Sequence, residues 1–490
     1  MLFTTFDFIF IYLPIVFAIY FILNKLRLIR LGIVFLAVAS IFFYGYWNYI
    51  YVPLIIASFT FNFFVGSKLC AIATKFEGQE KAKKPKGFLT FGILANITLL
   101  GYYKYTDFFI ENFNGIFGSS VPLMHVILPL GISFFTFTQI AFLVDCYRGF
   151  VRERSFINYA LFVTYFPHLL AGPIIHHAEM MPQFANLRRK KIHYKNISFG
   201  LFLFCVGLFK KVVIADFFAR FATYGFDTST TLSMAEAWIS SLSYTFQLYF
   251  DFSGYTDMAI GISYMFNIVL PFNFNSPYKA TSIGDFWHRW HMTLSRFLRD
   301  YIYIPLGGNR VGEPRLYTNL LMVFLIGGIW HGAGWTFVVW GCMHGIGIVI
   351  SRYYSLHFKK LNKFLAWFLT FNFVNIAWIF FRANDMNSAF KVLGAMFDFT
   401  NMKFGVEFVR FVNSTFGIVD NIERFKVANA SMWGVLLLAL IVCVFAKNSQ
   451  EMMERSRFDW RTALFLCFLL ICSFFATRSV VESQFLYFNF

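Results

Sequence analysis

The chain has 490 residues, of which 58% are hydrophobic, 71 are phenylalanine and only 14% are charged. A soluble protein of this size carries about a quarter charged residues, and many apolar runs here approach or exceed the roughly 18 to 20 residues that span a bilayer. The composition therefore excludes an ordinary soluble protein and predicts a polytopic membrane protein. The net charge of +17 lies in loops between apolar runs, where it sets membrane orientation, so it does not indicate nucleic-acid binding. A basic face of this kind could also hold a phosphorylated donor.

The first apolar run is predicted to be a retained membrane span, because it lacks a basic n-region and a small-residue cleavage site. Basic loops then alternate with loops that carry almost no positive charge. This alternation predicts five crossings, with the N-terminus outside the cytoplasm. The five predicted spans are residues 3–23, 31–46, 50–66, 88–105 and 125–145.

Residues 156–184 have basic clusters on both flanks, so this segment is predicted to enter and leave the membrane on one side. Pro167 and Pro173 break the helix where a span would need it continuous. Broken backbone at membrane depth is tolerated only where protein shields it from lipid, so we predict a re-entrant segment surrounded by neighbouring helices. His176 and His177 follow the break and are expected to be exposed loop residues.

Residues 196–222 and 235–272 are predicted to cross outward and back, although both carry charged side chains in mid-segment. Ionisable groups at this depth are costly and usually face a protein interior or a water-filled cavity. Two interpretations remain open. Either Lys210 or Lys211 pairs with Asp251 and stabilises the helix packing, or these groups line a passage for a substrate.

Residues 273–315 are too polar to span a membrane and are predicted to lie at the cytoplasmic face, with an amphipathic helix that includes residues 294–302. The apolar runs 316–330 and 334–350 then meet at His331 and the glycine after it. At about 1.5 Å per residue, the first run covers roughly 22 Å of a roughly 30 Å hydrocarbon core. His331 is therefore expected within the membrane thickness.

The remaining predicted crossings are residues 364–381, 431–446 and 460–478, and the segment SAFKVLGAMF predicts a short interfacial helix. The total is about ten full crossings, which places the C-terminal tail, FLYFNF, on the extracytoplasmic (periplasmic) side with the N-terminus. No internal repeat or low-complexity tract interrupts the chain, so residues 1–490 are treated as a single domain.

His331 is the strongest candidate for chemistry, because an ionisable residue at membrane depth is functional by default. Its ordinary pKa of about 6.5 suits proton abstraction at neutral pH, and desolvation favours the neutral, basic form. The alternative is a buried histidine that hydrogen-bonds a backbone carbonyl. His288 and His291 stand three residues apart and share a helix face, but no partner completes a metal motif, so no metal is predicted.

Other catalytic designs lack their motifs in this sequence. The chain has no GxSxG elbow, no Walker loop and no GxGxxG after a strand. A histidine base acting on an externally supplied hydroxyl is therefore the natural design. The polar and flat side chains of Asp285, Trp287, Arg289 and Trp290 suit a nucleotide or pantetheine-like ligand.

Four stretches of the chain carry a family resemblance: FPHLLAGPIIHHAEMMPQF (166–184), QLYFDFSGYTDMAIG (247–261), the polar stretch from PFNFNSPYK to PLGGNR (271–310) and GGIWHGAGWTFVVWGCMHG (327–345). They resemble the membrane-bound O-acyltransferase (MBOAT) family, and most closely its bacterial alginate and peptidoglycan O-acetyltransferase branch. The resemblance implies an all-α fold in which a ring of transmembrane helices, with re-entrant and short buried helices, surrounds a thinned central funnel.

The same resemblance implies the site and the reaction. The invariant family histidine falls on His331, the expected general base, and the second family histidine falls on His291, the expected positioning or oxyanion-stabilising residue. The residues expected to shape the substrate funnel are Asp285, Trp287, Arg289 and Trp330. The implied acyl donor is a cytoplasmic thioester, acetyl-CoA as substrate, with no bound cofactor. The implied acceptor is a cell-envelope glycan, peptidoglycan ahead of alginate, reached from the inner membrane through an SGNH-type partner.

The C-terminal tail adds a further expectation. FLYFNF resembles an aromatic motif of this branch and of small partner peptides in the related D-alanyl transfer system, where the tyrosine can carry the acyl group as an ester. Tyr487 is thus a candidate acyl carrier, and the alternative is a purely hydrophobic anchor. For the whole chain, the competing hypotheses are a D-alanyl transferase for teichoic acids, a transporter of an acyl donor or glycan, and an inactive scaffold.

Overall fold

The computed structural model describes most of the chain and shows only helices, turns and loops in the described part. The described residues are 1–76, 85–151, 155–170, 172–402, 404–415, 425–479 and 486. Within these residues no β-strand is present. The predicted all-α fold is confirmed for the described chain.

Among the described residues, nine α-helices form the first part of the chain. They are α1 (Leu13–Lys25), α2 (Ile29–Gly45), α3 (Val52–Lys75), α4 (Gly87–Phe117), α5 (Ile132–Arg148), α6 (Phe156–Thr164), α7 (Phe166–Leu169), α8 (His177–Ala185) and α9 (Tyr194–Phe209). Short 3₁₀ turns at Tyr49–Tyr51 and Leu187–Lys190, and a π-helical stretch at Asp7–Tyr12, extend or connect them.

Twelve α-helices follow in the described part. They are α10 (Asp216–Thr223), α11 (Met234–Met265), α12 (Ile283–Arg289), α13 (Met292–Leu298), α14 (Glu313–His331), α15 (Trp335–His357), α16 (Lys363–Arg382), α17 (Met386–Met396), α18 (Val406–Thr415), α19 (Phe425–Phe445), α20 (Ser449–Arg455) and α21 (Trp460–Ser479). The additional turns are the π-helical stretches Lys210–Ala215, Tyr224–Thr228 and Arg299–Tyr303 and the 3₁₀ turn Pro277–Lys279.

These helices pack into two compact units. The first comprises residues 1–208, 255–272 and 457–466, and the second comprises residues 209–254, 273–456 and 467–490. The first unit has a core of aromatic rings, in which Phe8, Phe43 and Phe166 pack edge-on or tilted at centroid distances of 5.6 to 6.2 Å. The second unit contains all the residues that the sequence assigns to the site.

Fewer helices satisfy the requirements of a membrane span than the predicted ten. In the described chain, five helical stretches are long and apolar enough, and a sixth is obtained if the pair Ser431–Phe445 and Ser449–Arg455, bent by 59°, counts as one span. The five are Asp7–Lys25, Tyr49–Lys75, Tyr194–Thr228, Lys363–Arg382 and Trp460–Thr477. The difference has a physical reason in α11, the longest helix, which buries serine, threonine and aspartate side chains within protein. Neighbouring protein can shield such groups from lipid.

The segment 156–184 is broken as predicted. Its helix stops at Thr164, restarts as the single turn α7 and resumes as α8, and most of its side chains are buried. The interruption leaves the Phe166 backbone N–H outside the ladder of α6, and this N–H donates to Ser40 Oγ at 3.2 Å. A side chain from α2 thus accepts the hydrogen bond of a backbone N–H that the break leaves without a helical partner. Broken backbone in an interior requires such partners.

The prediction that His177 is an exposed loop residue is wrong. His177 begins α8 and is buried, and its Nδ1 lies 3.2 Å from the Asp145 carboxylate at the end of α5. His176 is half-buried, with its Nδ1 3.9 Å from the same carboxylate. The carboxylate comes from an earlier helix, so a local reading of the Gly-Pro break could not reveal it.

Candidate active site

The site is built around His291, which occupies the junction between α12 and α13. Ser282 caps α12 by accepting the Asp285 backbone N–H at 3.0 Å, and the helix ends at Arg289. His291 then adopts a left-handed backbone conformation with φ of 43°. Because this conformation is unfavourable for a residue with a Cβ, the surrounding packing must hold it. The Met292 backbone N–H does so by donating to the Asn273 carbonyl at 3.0 Å.

The His291 ring is fully buried against polar and aromatic side chains. Its Nδ1 lies 3.3 Å from Asn273 Oδ1, and the same oxygen accepts the Thr293 hydroxyl at 2.7 Å. The Phe252 ring packs edge-on at 4.8 Å between centroids. Burial lowers the pKa of His291 to about 3. The ring is therefore neutral at physiological pH and can serve as a hydrogen-bonding group without carrying charge.

His331 is the last residue of α14, at the break that the sequence predicts before α15. Its ring is 3% exposed and contacts Trp330, Trp340 and Phe381 at centroid distances of 4.9 to 5.1 Å. Gly332 then turns the chain in extended backbone against Phe337. The close approach of this aromatic ring leaves no room for a side chain at position 332.

The two predicted histidines converge through Trp330. This ring lies 4.9 Å from the His331 ring and 6.5 Å from the His291 ring, measured between centroids. Two Trp-His pairs that are separated in sequence therefore share one buried aromatic cluster. Two buried imidazole rings joined through one tryptophan suit acid–base chemistry.

The other predicted funnel residues divide between a partly exposed edge and this cluster. Asp285 and Arg289 form an ion pair at 2.7 Å, with each side chain about one-third exposed. Trp287, on the opposite face of α12, is 7% exposed and packs on the Trp340 ring at 5.8 Å. His288 is exposed, with Nδ1 2.6 Å from the Gly284 carbonyl.

Comparison with known proteins identifies the family. The family described as "MBOAT, membrane-bound O-acyltransferase family" matches residues 132–390. A relative named "Peptidoglycan O-acetyltransferase", from Helicobacter pylori, is 48% identical over 100% of this chain and 98% of its own length. The chain belongs to the membrane-bound O-acyltransferase family. It is therefore a multi-pass membrane enzyme that transfers acyl groups to oxygen.

Two further relatives of this MBOAT enzyme carry other names. One, from Azotobacter vinelandii, is named "Probable alginate O-acetylase AlgI" and is 38% identical over 81% of this chain and 78% of its own length. Another, from Bacillus subtilis, is named "Teichoic acid D-alanyltransferase" and is 27% identical over 50% of this chain and 63% of its own length. The predicted membership of the bacterial O-acetyltransferase branch is confirmed.

Sequence reasoning missed a third histidine of the MBOAT site. His344 lies on α15, is fully buried and packs on Trp340 at 4.9 Å between centroids. Its Nδ1 accepts a hydrogen bond from Trp287 Nε1 at 3.1 Å. The one local signal is the four-residue spacing from Trp340, which places both rings on one helix face.

The prediction that Lys210 or Lys211 pairs with Asp251 in this enzyme is confirmed for Lys211. Lys211 Nζ lies 2.7 Å from Asp251 and 2.8 Å from Asp216, and all three side chains are buried. Lys210 instead donates to Ser449. Lys211 thus has the two carboxylates that a buried ammonium needs to offset its desolvation.

The predicted acyl carrier, Tyr487, lies outside the described residues. Its neighbour Leu486 is described, and its backbone N–H donates to the second oxygen of Asp251 at 3.2 Å. The residue after Asp251 is Phe252, whose ring packs on His291. Leu486 therefore binds the residue that precedes Phe252, a ring of the histidine cluster.

Proposed function

We propose that this enzyme moves an acetyl group from acetyl-CoA, on the cytoplasmic side of the inner membrane, to a cell-envelope polysaccharide. Peptidoglycan is the preferred acceptor and alginate the second, because the relative named for peptidoglycan matches the entire chain whereas the relative named for alginate matches 81% of it. The observation that carries the chemistry is the buried contact of Trp330 with both His331 and His291.

In this proposal His331 is the general base. It removes the proton from an acceptor hydroxyl, whose oxygen attacks the thioester carbonyl carbon. The carbon–sulfur bond then breaks, and the coenzyme thiolate takes the proton that His331 removed. The base needs to be neutral before the step, and aromatic rings surround it. General base catalysis of this kind contributes about 10²- to 10⁴-fold in rate.

His291 has a positioning role in the proposal, because an oxyanion-stabilising role would need a proton on Nε2. Asn273 Oδ1 can only accept hydrogen bonds, so the adjacent Nδ1 of His291 carries the proton and Nε2 is directed away from Asn273. Because His291 is neutral, it adds no charge to the buried site. Its left-handed backbone, held by Asn273, fixes the ring before substrate arrives.

The donor enters, in this proposal, at the partly exposed edge formed by Asp285 and Arg289. The Arg289 guanidinium also donates to the Asn275 carbonyl at 3.3 Å, which fixes its plane near the protein surface. Cationic side chains at this edge attract the phosphates of the coenzyme. On the opposite side of α12, Trp287 provides a flat ring toward the aromatic cluster.

The acetyl group leaves on Tyr487 as a phenolic ester, and an SGNH-type partner protein takes it to a glycan hydroxyl. The hydrogen bond from Leu486 to Asp251 supports this route, because consecutive Cα atoms are only about 3.8 Å apart. A phenol with a pKa of about 10 needs a base to become a nucleophile at neutral pH, a role that His331 would fill.

Turnover of radiolabelled acetyl-CoA by the purified enzyme in lipid nanodiscs tests the proposal. The wild-type enzyme is expected to release CoA and to retain or transfer the label, and His331→Ala is expected to slow this by orders of magnitude. His288→Ala is the matched control, because it removes an exposed histidine that packs outside the cluster. Equal rates for all three proteins would show that His331 is not the base.

Two other functions give different results in the same preparation. A D-alanyl transferase would ignore acetyl-CoA and accept a D-alanyl thioester. A transporter in proteoliposomes would move the intact donor across the bilayer without releasing CoA, and His331→Ala would leave transport unchanged unless the histidine couples protons. Either outcome would replace the acetyltransferase proposal.

A further inference from the structure

Two buried N–H groups on α15 lack a hydrogen-bond acceptor among the described residues: Trp340 Nε1 and His344 Nε2. The side chains are 1% and 0% exposed, so bulk water does not serve them. Native proteins rarely leave buried donors unpaired, because each loses its hydration without compensation. Two such donors on one helix, in an aromatic cluster beside the candidate base, suggest that a substrate provides the acceptor.

The protonation of His344 follows from its partner. An indole nitrogen can only donate, so the 3.1 Å hydrogen bond from Trp287 requires that Nδ1 of His344 carries no proton. The ring is therefore neutral, and its single proton lies on Nε2. His344 thus presents a donor at the very nitrogen that has no partner.

The two donors are neighbours. Trp340 and His344 are four residues apart on α15, so they share one helix face, and their ring centroids are 4.9 Å apart. Trp340 also packs 5.1 Å from the His331 ring. Both rings therefore belong to the aromatic cluster that includes the candidate base and Trp287.

We infer that Trp340 Nε1–H and His344 Nε2–H together bind a carbonyl oxygen of the acyl donor. An uncharged oxygen with two lone pairs suits two neutral donors. A phosphate or carboxylate would need a cation, which the described rings of this aromatic cluster do not supply. The inference rests on the proposed function, because it takes acetyl-CoA as the donor. Two carbonyls of that donor qualify, the acetyl carbonyl and a pantetheine amide carbonyl.

Binding of two inert coenzyme analogues to detergent-purified enzyme tests the inference and separates the two carbonyls. One analogue has a methylene in place of the thioester sulfur and keeps the acetyl carbonyl, and the other is the S-ethyl thioether, which lacks it. Trp340→Phe keeps an aromatic ring and removes the N–H together with one ring of the indole. Trp367→Phe is the matched control, because its Nε1–H already donates to the Tyr278 carbonyl at 2.9 Å.

Loss of one neutral hydrogen bond is expected to weaken binding about three- to tenfold. If Trp340→Phe weakens binding of the methylene analogue alone, the two donors bind the acetyl carbonyl. If it weakens binding of both analogues equally, they bind a pantetheine amide carbonyl. His344→Leu is expected to act like Trp340→Phe. His344→Gln is expected to restore much of the affinity, since its amide accepts from Trp287 and also donates.

Unchanged affinity in Trp340→Phe, or an equal loss in Trp367→Phe, would overturn the inference and leave the donors a structural role with buried water. Thermal unfolding of each variant without ligand checks that it is folded. The proposed donor has a separate test. Wild-type enzyme that binds neither analogue would refute acetyl-CoA as donor and the inference with it, whereas normal wild-type binding with unaffected variants would refute the inference alone.

Discussion

Asp251 links the buried ion pair to the C-terminal segment, so its replacement tests the proposed route of the acetyl group. One oxygen lies 2.7 Å from Lys211 Nζ, and the other accepts the Leu486 backbone N–H at 3.2 Å. Asp216 holds the same ammonium at 2.8 Å and is buried almost as deeply. Asp251→Asn and Asp216→Asn therefore each remove one carboxylate charge beside Lys211. Only Asp251→Asn also changes the group that accepts the Leu486 N–H.

The expected magnitudes follow from these contacts. Removing the sole partner of a buried charge costs about 3–5 kcal/mol, but Lys211 keeps one carboxylate in either variant. We therefore expect each variant to lose about 1–3 kcal/mol of unfolding free energy. At the tail, a charge-assisted hydrogen bond of about 1.5–3 kcal/mol becomes a neutral one of about 0.5–1.5 kcal/mol. The difference corresponds to roughly a five- to tenfold slower acetylation of Tyr487 in Asp251→Asn.

Two measurements are needed on each variant. Thermal unfolding in nanodiscs gives the stability loss, and the initial rate of label incorporation into the C-terminal peptide from radiolabelled acetyl-CoA gives the effect on transfer. The expected result is a similar stability loss in both variants and a slower incorporation in Asp251→Asn alone. Equal incorporation rates would refute the view that Asp251 positions the tail.

Two further variants test the charge state of His291 and the position of His331. Asn273→Asp puts a carboxylate beside Nδ1 of His291, which raises its pKa from about 3 by favouring the imidazolium. A pH–rate profile tests whether His291 acts as a neutral group. If it does, lowering the pH from about 8 to 5 should slow transfer more in the variant than in the wild type. Parallel profiles would contradict this role. Gly332→Ala would make a Cβ collide with the Phe337 ring beside the base, so transfer should slow at least tenfold, whereas Gly312→Ala meets open space and should retain the wild-type rate. Equal rates for the two alanine variants would show that the tight turn does not position His331.

Several features of the fold were predictable because their causes are local. Proline in mid-segment interrupts a helix wherever it occurs, and the break at Pro167 is present. The separation of α14 from α15 after His331 follows from the glycines there. The pairing of Lys211 with Asp251 follows from the cost of leaving either charge alone in an apolar interior.

Other features depend on partners distant in sequence and were not predictable. His344 stands in an apolar helix with no motif that distinguishes it, and its hydrogen-bond donor, Trp287, lies 57 residues earlier. His177 was expected in solvent because its carboxylate partner, Asp145, comes from another helix. The number of spans was overestimated relative to the described helices, because α11 combines apolar and polar side chains that the protein interior buries together.

The central claim is that His331 drives transfer of the acetyl group to the C-terminal tyrosine. Mass spectrometry of the C-terminal peptide, after a brief reaction of the nanodisc enzyme with acetyl-CoA, tests it most directly. The account predicts one acetyl ester on Tyr487 in the wild type and in His288→Ala, and none in His331→Ala. Glycan acetylation that proceeds in Tyr487→Phe, with Tyr487 unmodified in the wild type at every time point, would contradict it.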